Sequence, residues 1–162
     1  MAKRFLTKLL LAATTLTAVV FGSSAPANAG LYEQGYGYHG VVTLHSIHTN
    51  NYLDANDRGN GYGDAYAIPA NGGIYQTWQN WYRPSDQTFV LINAATGLVL
   101  DSNSSGSVYV MASNFGNYQK WKKSYSNGGW EFRNAATNLC MGNYGSTLKT
   151  WNCDGTRAQR WL

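Results

Sequence analysis

Bond-breaking chemistry asks for a base, a nucleophile or paired acids at reachable spacing, and this chain offers few of them. His45 and His48 form a His-x-x-His step. In a strand, positions three apart face opposite sides, so the two imidazoles do not converge on one metal ion; both read as surface residues. Glu33 and Glu131 are the only glutamates, and no two carboxylates have a spacing that implies the facing acid and base of a glycosidase. There is no Gly-x-Ser-x-Gly stretch and no nucleophile–histidine–acid grouping. The residues therefore imply no catalysis, no metal and no cofactor. Lys120, Lys122 and Lys123 form a local cluster. It reads as a solvated face, because nucleic-acid binding needs a sustained basic surface.

The first residues belong to targeting rather than to a fold. Lys3, Arg4 and Lys8 make a basic start, residues 9–21 are mostly apolar, and Ala27-Asn28-Ala29 is an A-x-A cleavage site. This is the pattern of a secretory signal peptide over residues 1–29. The apolar run is shorter than the ~18 residues of a membrane span. Removing the segment takes the formal charge from +4 to about +1, so the basic pI of 9.1 mostly reflects targeting. A mature chain from Gly30 is one domain's worth of sequence. Export to an oxidising space favours a disulfide between Cys140 and Cys153 over a metal site or a reactive thiol.

The remaining chain has few helix signals. Short apolar runs such as Val41-Val42-Thr43-Leu44, Phe89-Val90-Leu91-Ile92 and Val108-Tyr109-Val110-Met111 are bounded by turn formers, among them Asn71-Gly72-Gly73 and Asn127-Gly128-Gly129. Many short strands between tight turns predict an all-β sandwich or barrel. A repeat narrows the choice. Gln76-Thr77-Trp78, Gln119-Lys120-Trp121 and Gln159-Arg160-Trp161 recur 43 and 40 residues apart. Asn93-Ala94-Ala95-Thr96 recurs as Asn134-Ala135-Ala136-Thr137, and Leu53-Asp54 stands against Leu100-Asp101. Three copies follow, at about residues 38–84, 85–128 and 129–162. Each is too small to bury its own apolar face, so they must share a core. Gln and Trp, two apart, face one side of a strand, and both read as structural core. Residues 30–37 read as a flexible arm or a partly ordered lead-in.

Three Gln-x-Trp motifs, the Leu-Asp steps of the first two copies and a Cys…Trp-x-Cys arrangement in the third resemble the ricin-type lectin family. The resemblance covers residues 38–162 and implies a β-trefoil: three four-stranded units around a pseudo-threefold axis, with a six-stranded barrel capped by hairpins. It also implies Cys140–Cys153 as an in-repeat disulfide, and sugar sites away from the core tryptophans. Each such site pairs an aspartate after the Leu step with an aromatic ring on the next strand and an amide residue before the motif glutamine. The first copy supplies Asp54, with Ile68 at the aromatic position, Tyr66 one same-face step earlier and Tyr75 in place of the amide. The second supplies Asp101, with Met111 at the aromatic position, Tyr109 beside it, Tyr118 before Gln119 and Asn117 in reach. The third supplies Trp151, but Gly142 replaces the aspartate and Ala158 the amide. No copy is complete, and the best single set is Asp101, Tyr109 and Asn117.

The expected function is a secreted, non-catalytic carbohydrate-binding protein for galactose-type sugars or a polysaccharide. The alternative is a trefoil with decayed sugar sites that binds a protein, as a subunit of a secreted toxin or complex or as an inhibitor of a secreted enzyme. Aromatics expected at the surface (Tyr36, Tyr62, Trp81 and Trp130) would serve either role.

Overall fold

The computed structural model describes residues 27–162. The expected signal peptide lies outside the described residues except for its last three, which open a short helix, α1 (Ala27–Glu33). Eleven strands follow among the described residues. The first repeat contains β1 (Gly37–Val42), β2 (Tyr52–Ala55), β3 (Tyr62–Ile68) and β4 (Trp78–Arg83). The second contains β5 (Thr88–Asn93), β6 (Val99–Ser102), β7 (Val108–Met111) and β8 (Trp121–Ser126). The third contains β9 (Gly129–Asn134), β10 (Cys140–Asn143) and β11 (Leu148–Trp151).

Local chemistry sets the hairpins. Between β8 and β9, Asn127 and Gly128 both have positive φ, the backbone that a tight two-residue hairpin turn requires. Within each repeat the second and third strands pair antiparallel: β2 with β3, β6 with β7, β10 with β11. A fourth strand in the third unit is reduced to Trp161, which bridges Ser46 and Trp130. Ile47 donates its N–H to Arg160 O, and His45 and Leu162 exchange two backbone bonds. The last repeat is thereby tied to the first, which closes the β-trefoil barrel.

The threefold relation is visible atom by atom. Trp78, Trp121 and Trp161 are fully buried in one core cluster. Their indole N–H groups donate to the carbonyls of Leu53, Leu100 and Met141 at 3.0, 3.2 and 3.0 Å. The preceding glutamines do not sit on the same strands. Each closes a 3₁₀ turn (Ile74–Gln76, Asn117–Gln119, Arg157–Gln159). There the buried amide serves its own repeat. Gln76 Nε2 donates to Pro69 O and its Oε1 accepts from Asn71 N–H. Gln119 does the same with Ala112 O and Asn114 N–H, and Gln159 with Asn152 O and Asp154 N–H. A buried amide with both ends paired fixes where its turn leaves the barrel.

Two expectations about the surface are corrected. Residues 30–37 are not a loose arm: Leu31 and Tyr36 are buried with Trp81, Val90, Ile92 and Val99 in a second apolar cluster. The Tyr36 hydroxyl bonds Thr88 Oγ1 at 2.8 Å, and the Arg83 guanidinium lies over its ring while donating to Gln34 O. Tyr36 and Trp81 are therefore interior residues, because apolar burial outweighs the cost of ordering so short a segment. The expected disulfide joins Cys140 on β10 to Cys153 after β11, and should contribute about 3 kcal/mol by restricting the unfolded chain.

Replacing Trp121 with Phe should orphan the Leu100 carbonyl and cost about 1–3 kcal/mol on that account alone. Urea denaturation should show the lowered midpoint with an unchanged slope.

Candidate functional site

In each repeat the second and third strands place the site positions opposite one another. The register pairs Asp54 with Tyr66, Asp101 with Tyr109, and Gly142 with Lys149. It also sets Ile68, Met111 and Trp151 against Tyr52, Val99 and Cys140. The 3₁₀ turn of the same repeat lies alongside, so each unit has the scaffold of a site. The side chains make three different outcomes.

The first repeat is open. Asp54, only 2 % exposed, forms part of the wall of a hollow of about 290 Å³ that is also lined by Tyr66, Ile68, Asn71 and Tyr75. Burial, and then the charge of the adjacent Asp54, pushes the Tyr66 hydroxyl above its ordinary pKa, so it stays a neutral donor. Tyr75 presents an exposed ring before Gln76. Asn71 accepts the N–H of Gly73 on Oδ1, and among the described residues its amide nitrogen has no hydrogen bond. The rim is braced by Asn56, which donates to the Asp64 carboxylate and accepts the Asp64 N–H.

In the second repeat the acid and the ring have bonds of their own. Asp101 is 1 % exposed and accepts the N–H of Ser102 at 2.6 Å. Burial pushes its carboxyl upward in pKa, opposed by that N–H. Tyr109 donates its hydroxyl to Ser102 O, and Tyr62 of the first repeat packs on its ring at 5.5 Å. Burial and then the Asp101 charge push Tyr109 up to about 12. Asn117 is exposed and accepts from Lys120 Nζ. The structure thus pairs Asp101 with Tyr109 across the hairpin, while Asn117 is engaged with a lysine.

The third repeat is filled. A Cβ on Gly142 would fall 2.7 Å from Tyr144 Cε2 and 3.1 Å from Ala158 O. The Tyr144 ring therefore occupies the space where the other repeats carry the aspartate, and its hydroxyl accepts from Gln159 Nε2 at 2.9 Å. Trp151 is 53 % exposed and carries the Lys149 ammonium over its face at 4.3 Å.

Other sequence candidates have separate surroundings. His45 stacks on Tyr52, His48 is exposed, and Glu131 is held by Arg160 and Arg133. The lysine cluster is not one solvated face: Lys122 is exposed, but Lys123 is inserted between the rings of Phe89 and Trp130. Sequence reasoning missed Asn71 and Tyr144. Asn71 had a signal, because Asn71, Asn114 and Asp154 each precede their motif glutamine by five residues. Tyr144 had none, since its ring finds Gly142 only in three dimensions.

Residues 40–161 match the family model described as the ricin-type beta-trefoil lectin domain. A search of curated protein sequences finds no match. Among solved structures, the designed threefold-symmetric protein ThreeFoil is similar at 18% identity and a TM-score of 0.66, over 78% of this chain and 96% of that one. The Polyporus squamosus lectin bound to Neu5Acα2-6Galβ1-4GlcNAc is similar at 19% identity and 0.65, over 78% of this chain and 49% of that one. A mosquitocidal holotoxin is similar at 18% and 0.68, over 75% of this chain but only 16% of the toxin chain.

Two outcomes test this geometry. Gly142→Ala should destabilise the fold by about 1–3 kcal/mol through overpacking, and adding Tyr144→Ala should recover part of that loss in the same urea titration. The raised folded-state pKa of Tyr109 means the unfolded chain releases this proton first. Its stabilisation is present below the ordinary tyrosine value of about 10 and is lost as pH rises toward about 12. Tyr109→Phe should flatten that alkaline loss, read from urea midpoints across a pH series.

Proposed function

The chain belongs to the ricin-type beta-trefoil lectin domain family, and on that premise we propose that it is a secreted, non-catalytic carbohydrate-binding protein whose working site is the first-repeat hollow. The observation that carries this reading is the open arrangement of Asp54, Tyr66 and Tyr75. An ionised carboxylate accepts hydrogen bonds from two neighbouring hydroxyls at once. The tyrosine rings offer flat apolar faces with a polar edge, which suits the two-faced character of a sugar. Galactose-type sugars fit, since a cluster of ring C–H groups on one face can lie on an aromatic while vicinal hydroxyls reach the acid. The Polyporus squamosus lectin, whose bound glycan contains galactose, supports the same ligand class. The sets Asp101–Tyr109–Asn117 and Trp151 are secondary, because the first is committed to internal bonds and the second lacks an acid.

One observation favours a second reading. Exposed aromatics, Tyr62 and Trp130, stand outside the first-repeat hollow. A trefoil in that condition suits a protein-binding subunit, and the mosquitocidal holotoxin is a larger chain with a region of this fold.

A glycan array with the folded chain should show binding to galactose-terminated glycans. Asp54→Asn should weaken it at least about tenfold, as expected for a lost charge-assisted bond, while Asp101→Asn leaves it unchanged. No binding to any glycan by the folded protein would overturn the carbohydrate reading in favour of a protein partner.

A further inference from the structure

A larger hollow lies away from all three repeat sites. It measures about 420 Å³ and is lined by Tyr82, Gln87, Phe89, Lys122, Lys123 and Trp130. These come from the β4–β5 and β8–β9 hairpins, so it sits between the first, second and third repeats. Its volume falls within the ~300–1,000 Å³ of small-ligand sites. We propose that it binds an anionic saccharide, a sugar bearing a uronate or sulfate group, with the acid on Lys123, Lys122 at the rim, and the ring against Trp130 and Phe89.

The lysines carry the charge argument. Lys123 Nζ stands 4.3 Å from the centre of Phe89 and 4.8 Å from that of Trp130. Among the described residues it makes no ion pair, and neither does Lys122. Burial lowers the proton affinity of Lys123, which is the cost of a half-buried cation held only by aromatic faces. A bound anion would relieve it.

The occupant follows from what the surface offers. Flat rings beside cations suit a saccharide's C–H faces and its acidic substituent together.

The test titrates the chain with tetragalacturonate, a sulfated galactose tetrasaccharide and neutral galactotetraose, followed by tryptophan fluorescence and by the Trp130 indole N–H in 15N spectra. The expected result is saturable binding of at least one acidic probe, shifting Trp130. That binding should weaken several-fold when salt rises from about 50 to about 500 mM. Lys123→Gln should reduce it about tenfold or more. The exposed Lys122→Gln, which leaves the fold untouched, should reduce it less, and galactotetraose binding should persist in both. Binding of neutral sugar alone would overturn this inference while leaving the Asp54 site standing. Acidic-probe binding unaltered by either lysine variant, or hexaglutamate binding as tightly as tetragalacturonate, would also overturn it.

Discussion

An indole N–H reaching a backbone carbonyl is the bond on which this molecule depends, and it is made three times. Trp78, Trp121 and Trp161 each bring the largest apolar side chain available into the centre of the barrel. Each ties its one polar atom to the second strand of its own repeat. The indole thus supplies apolar burial and a directional constraint at once. The glutamine two residues earlier completes the device: its buried amide holds a turn to the loop that leads into it. Anything that would displace a tryptophan must also break the register of the strand carrying the site residues.

The same frame explains how three equivalent backbones produce three unequal surfaces. The scaffold presents an acid position and an aromatic position in every repeat, but single side chains decide access. Ser102 N–H engages Asp101, whereas Asp54 borders an open hollow. Gly142 admits the ring of Tyr144, which then bonds the core glutamine of its own repeat. Symmetry here is a property of the core and not of the surface. The bonds that maintain it run inward, and the outward positions differ from repeat to repeat.

The hairpins shape a further surface between repeats. The α1 segment and Tyr36 pack against β4 and β5 and bury Trp81. Around the corner, the β4–β5 and β8–β9 hairpins leave Phe89, Trp130 and two lysines facing a shared space. Lys123, held over Phe89 and Trp130, is stable in the absence of a ligand and still available to one.

The sequence by itself determined the repeat, the all-β class, the shared core and the cysteine pair. Each rests on spacing along the chain or on residue type, and the threefold motif repeats those signals until they are unambiguous. The acid and aromatic positions came from the family resemblance, and the strand registers set Asp54 opposite Tyr66, Asp101 opposite Tyr109 and Gly142 opposite Lys149. The sequence could not separate Asp54 from Asp101, since both follow a leucine and stand opposite a tyrosine. That difference is made by Ser102 N–H and by Tyr62 from a neighbouring repeat. The burial of Tyr36 and Trp81, the ring of Tyr144 against Gly142, and Lys123 between Phe89 and Trp130 are likewise contacts between segments distant in the chain or turned back on themselves. Periodicity carries no information about such meetings. Only the closing of the barrel brings those side chains within reach of one another.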